Sequence, residues 1–345
     1  MGIVSQVLRS VRLSGGVFFH AEFSAPFCVE SPTCGHIADI LGLGSRRVVP
    51  FHIVKGGSCE ARIAGRDPIP LEADDVVVFF HGGTHEVASP GATRRVPIAP
   101  LLPPPPYHGR IQDVSHGGGG AVTTMMCGFL HHEPVVFNPL FWGLPEVIAV
   151  SGRERDHTRR LHRILQDIED EARVMRPGSE CLMARLTELL FIEVLRTYMA
   201  RVPDGGSHWL RGIRDPFVSR ALQLIHEQPA RDWSLAELGR EVGRSRSALS
   251  ERFSEIVGVP PMQYLARWRM QLAAQLLLDS EATVAGVGAR VGYGSEAAFN
   301  RAFRRVVGMP PAAWRREHSR PSSHPAAAAP PLVSGAGAEG LPIRV

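Results

Sequence analysis

Leu235-Ala-Glu-Leu-Gly-Arg-Glu-Val-Gly243, Ser245-Arg-Ser-Ala-Leu-Ser-Glu-Arg-Phe253, Gly258-Val-Pro-Pro261 and Tyr264 return later in the chain. They reappear as Val284-Ala-Gly-Val-Gly-Ala-Arg-Val-Gly292, Ser295-Glu-Ala-Ala-Phe-Asn-Arg-Ala-Phe303, Gly308-Met-Pro-Pro311 and Trp314. Ser245, Phe253, Gly258 and Tyr264 recur at a constant offset of 50, whereas Leu235 recurs at 49, so the second copy carries one extra residue in its turn. Self-similarity at one period marks a duplicated structural unit. Leu235, Leu238 and Val242 share one helical face, Gly243 stops that helix, and Ser245 caps the next. The second helix turns Leu249, Phe253 and Ile256 inward and leaves Arg246, Ser247, Ser250 and Glu251 outside. In the second copy Val284, Val287, Val291, Phe299 and Phe303 point inward, and Glu296, Ala297, Asn300 and Arg301 face out. A short helix, a glycine turn and a second helix with a capped, polar N-terminus make a reader of the DNA major groove. Simple helical packing explains Leu238, Val242, Leu249, Phe253, Val287, Phe299 and Phe303, but not the serine caps, glycine stops and arginines in register.

The doubled pattern resembles the AraC-type family of transcription regulators. The matching residues are Ala236, Val242-Gly243, Ser245, Leu249, Phe253, Gly258, Pro260-Pro261 and Tyr264, then Arg267, Arg269, Ala273 and Leu276-Leu277. The second copy adds Val291-Gly292-Tyr293, Ser295-Glu-Ala-Ala-Phe299, Phe303-Arg-Arg305, Gly308, Pro310-Pro311 and Trp314-Arg-Arg316. The resemblance spans roughly Pro216 to Arg316 and implies two helix-turn-helix units joined by a long helix over about Pro261 to Leu278. Their reading helices would enter successive major-groove turns on one DNA face. Ser245, Arg246, Ser247, Ser250 and Glu251 would face bases in one turn, and Glu296, Ala297, Asn300 and Arg301 in the other. Asn300 suits adenine, and Arg301 or Arg246 suits guanine. Arg244, Arg252, Arg304 and Arg305 are the phosphate candidates. The chain departs from the family at Gly286 and Gly288, where Glu and Ala are usual, and two interior glycines predict a softer helix. Glu251 stands where many relatives are basic.

Working outward, 345 residues predict two domains with a helical connector. Net charge is +4 and the pI is near 9.0, mild for a DNA binder, so basic charge must be concentrated locally. Lys55 is the single lysine. Cys28, Cys34, Cys59, Cys127 and Cys181 form an odd set without framework spacing, as expected in a reducing cytoplasm. No apolar run is long enough for a membrane span, and no signal peptide opens the chain.

Residues 3 to 13 have helical spacing. From Val17, short β-rich runs at 17–19, 48–49, 51–54, 61–63, 76–80 and 122–126 alternate with Gly, Pro and Asp clusters, which predicts a β-barrel or jelly roll. Phe51-His-Ile-Val-Lys-Gly-Gly-Ser-Cys59, Leu71-Glu-Ala-Asp-Asp75 through His81-Gly-Gly-Thr-His85, and Cys127-Gly-Phe129 resemble the cupin sensor domain of many AraC-type regulators, over about Ser5 to Pro145. Here the usual His-x-His…Glu is reduced to His52, the usual turn glycine is Asp74, and the usual proline is Phe80. His52, His81, His85 and Cys127 are candidates for a small-molecule effector or a divalent metal, since imidazole and thiolate suit zinc or iron. The competing reading, which we prefer, makes them polar lining of a barrel with Cys127 as a small core residue. Pro100–Pro106 and Gly117–Gly120 predict loops at the barrel rim.

Leu161, Ile164, Leu165 and Ile168 form one helical stripe, Pro177-Gly178 breaks it, and Leu182, Leu186, Leu189, Leu190 and Val194 form another. They predict a helical hairpin, one part of which the resemblance assigns to dimer contacts. The expected fold is therefore α+β and multidomain. It comprises a cupin-like sensor over 1–150, a hairpin over 151–202, a linker over 203–214 with Trp209 and Leu210 re-anchoring the chain, and an all-α double helix-turn-helix domain over 215–318. A disordered tail occupies 319–345. The expected function is a cytoplasmic, effector-responsive transcription regulator rather than an enzyme, with promoter DNA, a small molecule, RNA polymerase and a second copy of the chain as partners. Two other classes compete: a metal-dependent cupin enzyme with an accessory DNA domain, and an alkyl-transfer repair protein, which would need clustered cysteines.

Overall fold

The computed structural model describes residues 2–9, 13–42, 47–104, 107, 111–132, 136–152, 155–174, 176–201 and 208–318. The expected tail over 319–345, residues 203–207 of the linker and part of the proline run lie outside these residues, and the rest of the linker, 208–214, is helical.

The N-terminal half is two facing sheets. One has the strand order β11 (Val147–Ser151), β6 (Asp75–Phe79), β3 (Arg47–Gly56), β10 (Val122–His132), β1 (Leu13–Ser24) and β9 (Gln112–Gly117). The other runs β5 (Ile69–Glu72), β4 (Ser58–Arg62), β7 (His85–Ala88), β2 (Cys28–Ser31) and β8 (Val96–Pro97). All six β-rich runs seen in the sequence begin or lie in strands. The expected helix over 3–13 is shorter: α1 covers Ile3–Arg9, and Leu13 already pairs with His132 in the sheet.

Strand alternation divides the core in two. On the six-stranded sheet Phe19, Ala21, Phe23, Val54, Val77, Phe79 and Met125 face the opposing sheet. Phe18, Phe51, Ile53, Val76, Val78, Met126 and Leu130 face outward, where helices cover them. Period two places neighbours on opposite faces, so one strand serves both cores. Gly128 pairs with Phe51 across β3 and β10, and the Phe51 ring lies over it where a Cβ would stand. Asp74, at the usual glycine position of its turn, takes φ 71, and its N–H donates to the Val54 carbonyl at 2.8 Å. Phe80, which replaces the usual proline, packs its ring 5.7 Å from Phe191 of the covering hairpin.

That hairpin is α4 (Arg155–Arg173) and α5 (Ser179–Arg201), broken at Pro177-Gly178 as the sequence predicts. Leu161, Ile164, Leu165 and Ile168 are all buried. The second stripe is rotated from its expected position. Met183, Leu186, Thr187, Leu190, Phe191 and Val194 face the sheet, whereas Leu182 and Leu189 are 46% and 51% exposed. Phe191 turns the helix by packing against both Phe80 and Phe141. Lys55 of β3 is tied to Glu169 of α4 at 2.7 Å.

The remaining helices are α6 (His208–Arg214), α7 (Pro216–Glu227), α8 (Leu235–Glu241), α9 (Arg246–Val257), α10 (Pro261–Asp279), α11 (Val284–Arg290), α12 (Glu296–Val307) and α13 (Pro311–His318). Two shorter ones lie earlier, α2 (Cys34–Ile40) and α3 (Pro139–Gly143). Trp209 and Leu210 are buried, as expected. The barrel and first reader unit share one apolar core that runs from Phe51 and Leu140 to Tyr264 and Trp268. Beside it, Val136 and Phe137 both donate their N–H groups to Gln271 Oε1 of α10, at 2.9 and 3.0 Å. Phe137 packs edge-on to Tyr264.

Candidate nucleic-acid interface and ligand cavity

Each reader unit is built by local rules. Ser234 caps α8 in a capping box with Glu237, Ser245 caps α9 by accepting from the Ala248 N–H at 3.2 Å, and Ser295 caps α12 by accepting from Ala298 at 3.2 Å. Gly243 and Gly292 sit at φ 69 and 87 just after α8 and α11, where a Cβ would be strained. Thr283 caps α11, but Gly286 stands where Glu237 stands in the first copy, so the second box lacks its reciprocal partner. Gly288 has a packing role: an added Cβ would lie 3.0 Å from the Phe299 side chain.

The faces expected to meet bases are open. Ser245, Arg246, Ser247 and Glu251 are exposed and Ser250 is half-buried. Glu296, Ala297 and Arg301 are exposed and Asn300 is half-buried, its side-chain amide donating to the Glu296 carbonyl of its own helix at 3.0 Å. Leu238, Leu249, Phe253, Val287, Phe299 and Phe303 are buried, in accord with their assignment to core. Among the phosphate candidates, Arg304 and Arg305 are exposed, and Arg244 stacks its guanidinium 3.7 Å over the Phe217 ring. Arg252 is held in an ion pair with Asp215 at 3.1 Å and another with Glu255 at 3.1 Å, which ties α9 to the cap of α7.

The cupin candidates separate. His52 Nδ1 lies 2.9 Å from Cys127 Sγ, and His52 Nε2 lies 3.0 Å from His85 Nε2. His85 is the first residue of β7 and stacks on Phe79. His81 is not part of this group: it is exposed, with Nε2 2.7 Å from the Leu144 carbonyl. Burial lowers the His52 pKa to about 4, and burial together with His52 holds His85 well below its usual value. Burial also pushes the Cys127 thiol up, with Cys59 adding to the shift. The donors lie in a row, and both ring nitrogens of His52 are engaged. Among the described residues no group of three His, Cys, Asp or Glu side chains converges on one point. This donor set does not fit a divalent metal. The cysteines are dispersed over β2, α2, β4, β10 and α5, and burial raises Cys28 and Cys34 to about 11 and Cys59 to about 12. Such thiols are poor nucleophiles.

His52 and Cys127 line a cavity between the two sheets, about 620 Å³ including its mouth. Phe19, Phe23, Val87, Met125 and Phe129 form much of its wall, and Ile37 and Leu41, from and just after α2, and Leu102 contribute to it. Sequence reading picked out the histidines and missed these residues. Their signal was inward alternation on strands whose pairing was unknown.

Residues 3–200 match a family model described as Cupin, and residues 238–317 match one described as Helix-turn-helix domain. A putative AraC-like transcription regulator of Streptomyces lividans is 33% identical over 300 residues, covering 84% of this chain and 96% of that protein. Another, of Streptomyces antibioticus, is 31% identical over 293 residues, covering 82% and 95%. The crystal structure of the DNA-binding domain of AdpA in complex with a target DNA matches 30% of this chain and 92% of that chain at 29% identity, with a TM-score of 0.28. The chain belongs to the cupin-containing AraC-like transcription regulators. It is a DNA-binding regulator with a cupin-type N-terminal domain and a C-terminal pair of helix-turn-helix units.

Proposed function

We propose that this protein is a cytoplasmic, non-enzymatic regulator that reads a bipartite promoter element with α9 and α12 and adjusts that reading to a small molecule held between its two sheets. We assign residues 1–150 to sensing, 151–202 to the connector and 215–318 to DNA reading. The observation that carries the proposal is the pair of capped helices whose polar N-terminal faces stay exposed while their apolar faces are buried on either side of α10. One rigid helix between two readers suits half-elements about one DNA turn apart, roughly 34 Å. Arg301 and Arg246 are assigned to guanine, Asn300 to adenine after its side chain leaves Glu296, and Arg244, Arg304 and Arg305 to phosphate. Leu182 and Leu189 on α5 offer an apolar face to a second copy, and RNA polymerase is the partner through which promoter occupancy would act.

Selection of genomic DNA by the full-length protein at two salt concentrations tests this. A bipartite motif is expected; binding without a motif and with a steep salt slope would leave only phosphate attraction. Arg301→Ala should lose about 1–3 kcal/mol on the selected site and relax one base position, whereas Arg304→Ala should weaken all sequences alike. Equal losses on selected and random DNA for Arg301→Ala would remove its base-reading role.

A further inference from the structure

We infer that the cavity between the two sheets takes a neutral, mainly apolar molecule carrying one hydrogen-bonding oxygen, such as an alcohol or a ketone, anchored on Cys127 and His52. The inference rests on the sensor reading above and specifies its ligand. Of the described residues that line the cavity only Ser31, His52 and Cys127 are polar, and none of them is Asp, Glu, Lys or Arg. Charged side chains on the flanking strands, Lys55, Glu86 and Arg62, are paired elsewhere. Lys55, three residues beyond His52, points to the helical side of the sheet and pairs with Glu169 at 2.7 Å. Glu86 pairs with Arg95 at 2.6 Å, and Arg62 with Glu60 at 2.8 Å. A carboxylate or phosphate would find no cation among the described lining residues, and a buried unpaired ion is strongly disfavoured. A sugar would need more partners than three side chains supply.

The anchor adapts to either sense of hydrogen bond. When the Cys127 thiol donates to His52 Nδ1, the His52 Nε2–H donates to His85 Nε2, and the sulfur is left to accept. In the reverse arrangement His85 Nε2–H donates to His52 Nε2, His52 Nδ1–H turns to the sulfur, and the thiol hydrogen is free for a ligand oxygen. Both arrangements leave the row uncharged, in keeping with two imidazoles that burial holds neutral.

The test uses the full-length protein and N-phenylnaphthylamine, a neutral dye whose emission rises in apolar surroundings. Saturable binding of one dye per chain is expected, with displacement by n-octanol. Octanoate at neutral pH should displace it at least about tenfold less well, since an unpaired carboxylate must be desolvated. His52→Phe should keep dye binding and erase the preference for octanol over octane. Ala21→Trp should block the dye, and DNA affinity reports whether that variant remains folded. Octanoate competing as well as octanol would overturn the neutral class while leaving the cavity as a binding site. A dye that does not bind saturably would overturn the cavity itself. Octanol that binds as expected but leaves promoter affinity unchanged would count against the sensor role and not against the ligand class.

Discussion

Acidification to about pH 5 should destabilise this protein, and His226 should account for about a third of the effect. His226 sits on α7, 6% exposed, with Nε2 2.8 Å from the Tyr264 hydroxyl and its ring 4.2 Å from Trp268. Trp209 Nε1–H donates to the same hydroxyl oxygen at 3.0 Å. An indole N–H can only donate, so the Tyr264 oxygen accepts it and sends its own hydrogen to an unprotonated His226 Nε2. Burial lowers the His226 pKa to about 3, against an ordinary value of 6.5. The unfolded chain therefore takes up a proton that the folded chain refuses. The stability from neutral His226 is complete above pH 6.5 and is lost as pH falls from there toward 3. Between neutrality and about pH 5 the loss is about 2 kcal/mol. His52, lowered to about 4 in the other half of the molecule, and His85, held well below its usual value by burial and by His52, follow the same sign, and each adds a similar amount. Urea unfolding followed by tryptophan fluorescence at the two pH values measures the sum. His226→Gln keeps an acceptor for Tyr264 and cannot titrate in this range, so it should lose only about two thirds as much stability as the wild type. Equal losses in the two proteins would refute the neutral, buried His226.

Three further substitutions test other parts of the structure. Asp74→Gly should raise stability by about 0.5–1 kcal/mol, read as a higher thermal midpoint, because Asp74 sits at φ 71 where a Cβ is strained; no gain would mean that its side chain compensates. Gly286→Glu should complete the capping box that Ser234 and Glu237 form in the first copy and add about 1 kcal/mol to the second reader unit, visible as slower amide exchange in α11. Gln271→Leu should cost about 1–3 kcal/mol by leaving the Val136 and Phe137 N–H groups without their acceptor, with faster exchange at those two amides as the local signature.

The division between legible and illegible features follows the range of the forces. The reader units were legible because each part is set within one or two helical turns. Ser245 and Ser295 reach amides three residues on, Gly243 and Gly292 supply the left-handed stops, and the apolar faces repeat at helical spacing. The hairpin break at Pro177-Gly178 is local in the same sense. The rotation of α5 was not, because it depends on Phe191 meeting Phe80 and Phe141, rings brought from distant segments. The short strands β2, β5, β7, β8, β9 and β11 escaped the sequence reading because a run of two to six residues carries little alternation.

The cupin candidates make the same point. Sequence proximity to a common motif put His81 beside His85, yet one is on the surface at the Leu144 carbonyl and the other is buried against His52. The sequence by itself determined a duplicated DNA reader, its caps and stops, a β-rich N-terminal half and a helical connector, since these follow from periodicity and backbone preferences of near neighbours. The tertiary structure alone decided which histidines meet, that Cys127 and His52 share an uncharged cavity wall, and that Gln271 receives the backbone leading from β10. Those contacts join residues 33 to 135 positions apart. Only the packing of sheets and helices selects such partners, because burial rewards any apolar neighbour and leaves the choice to shape.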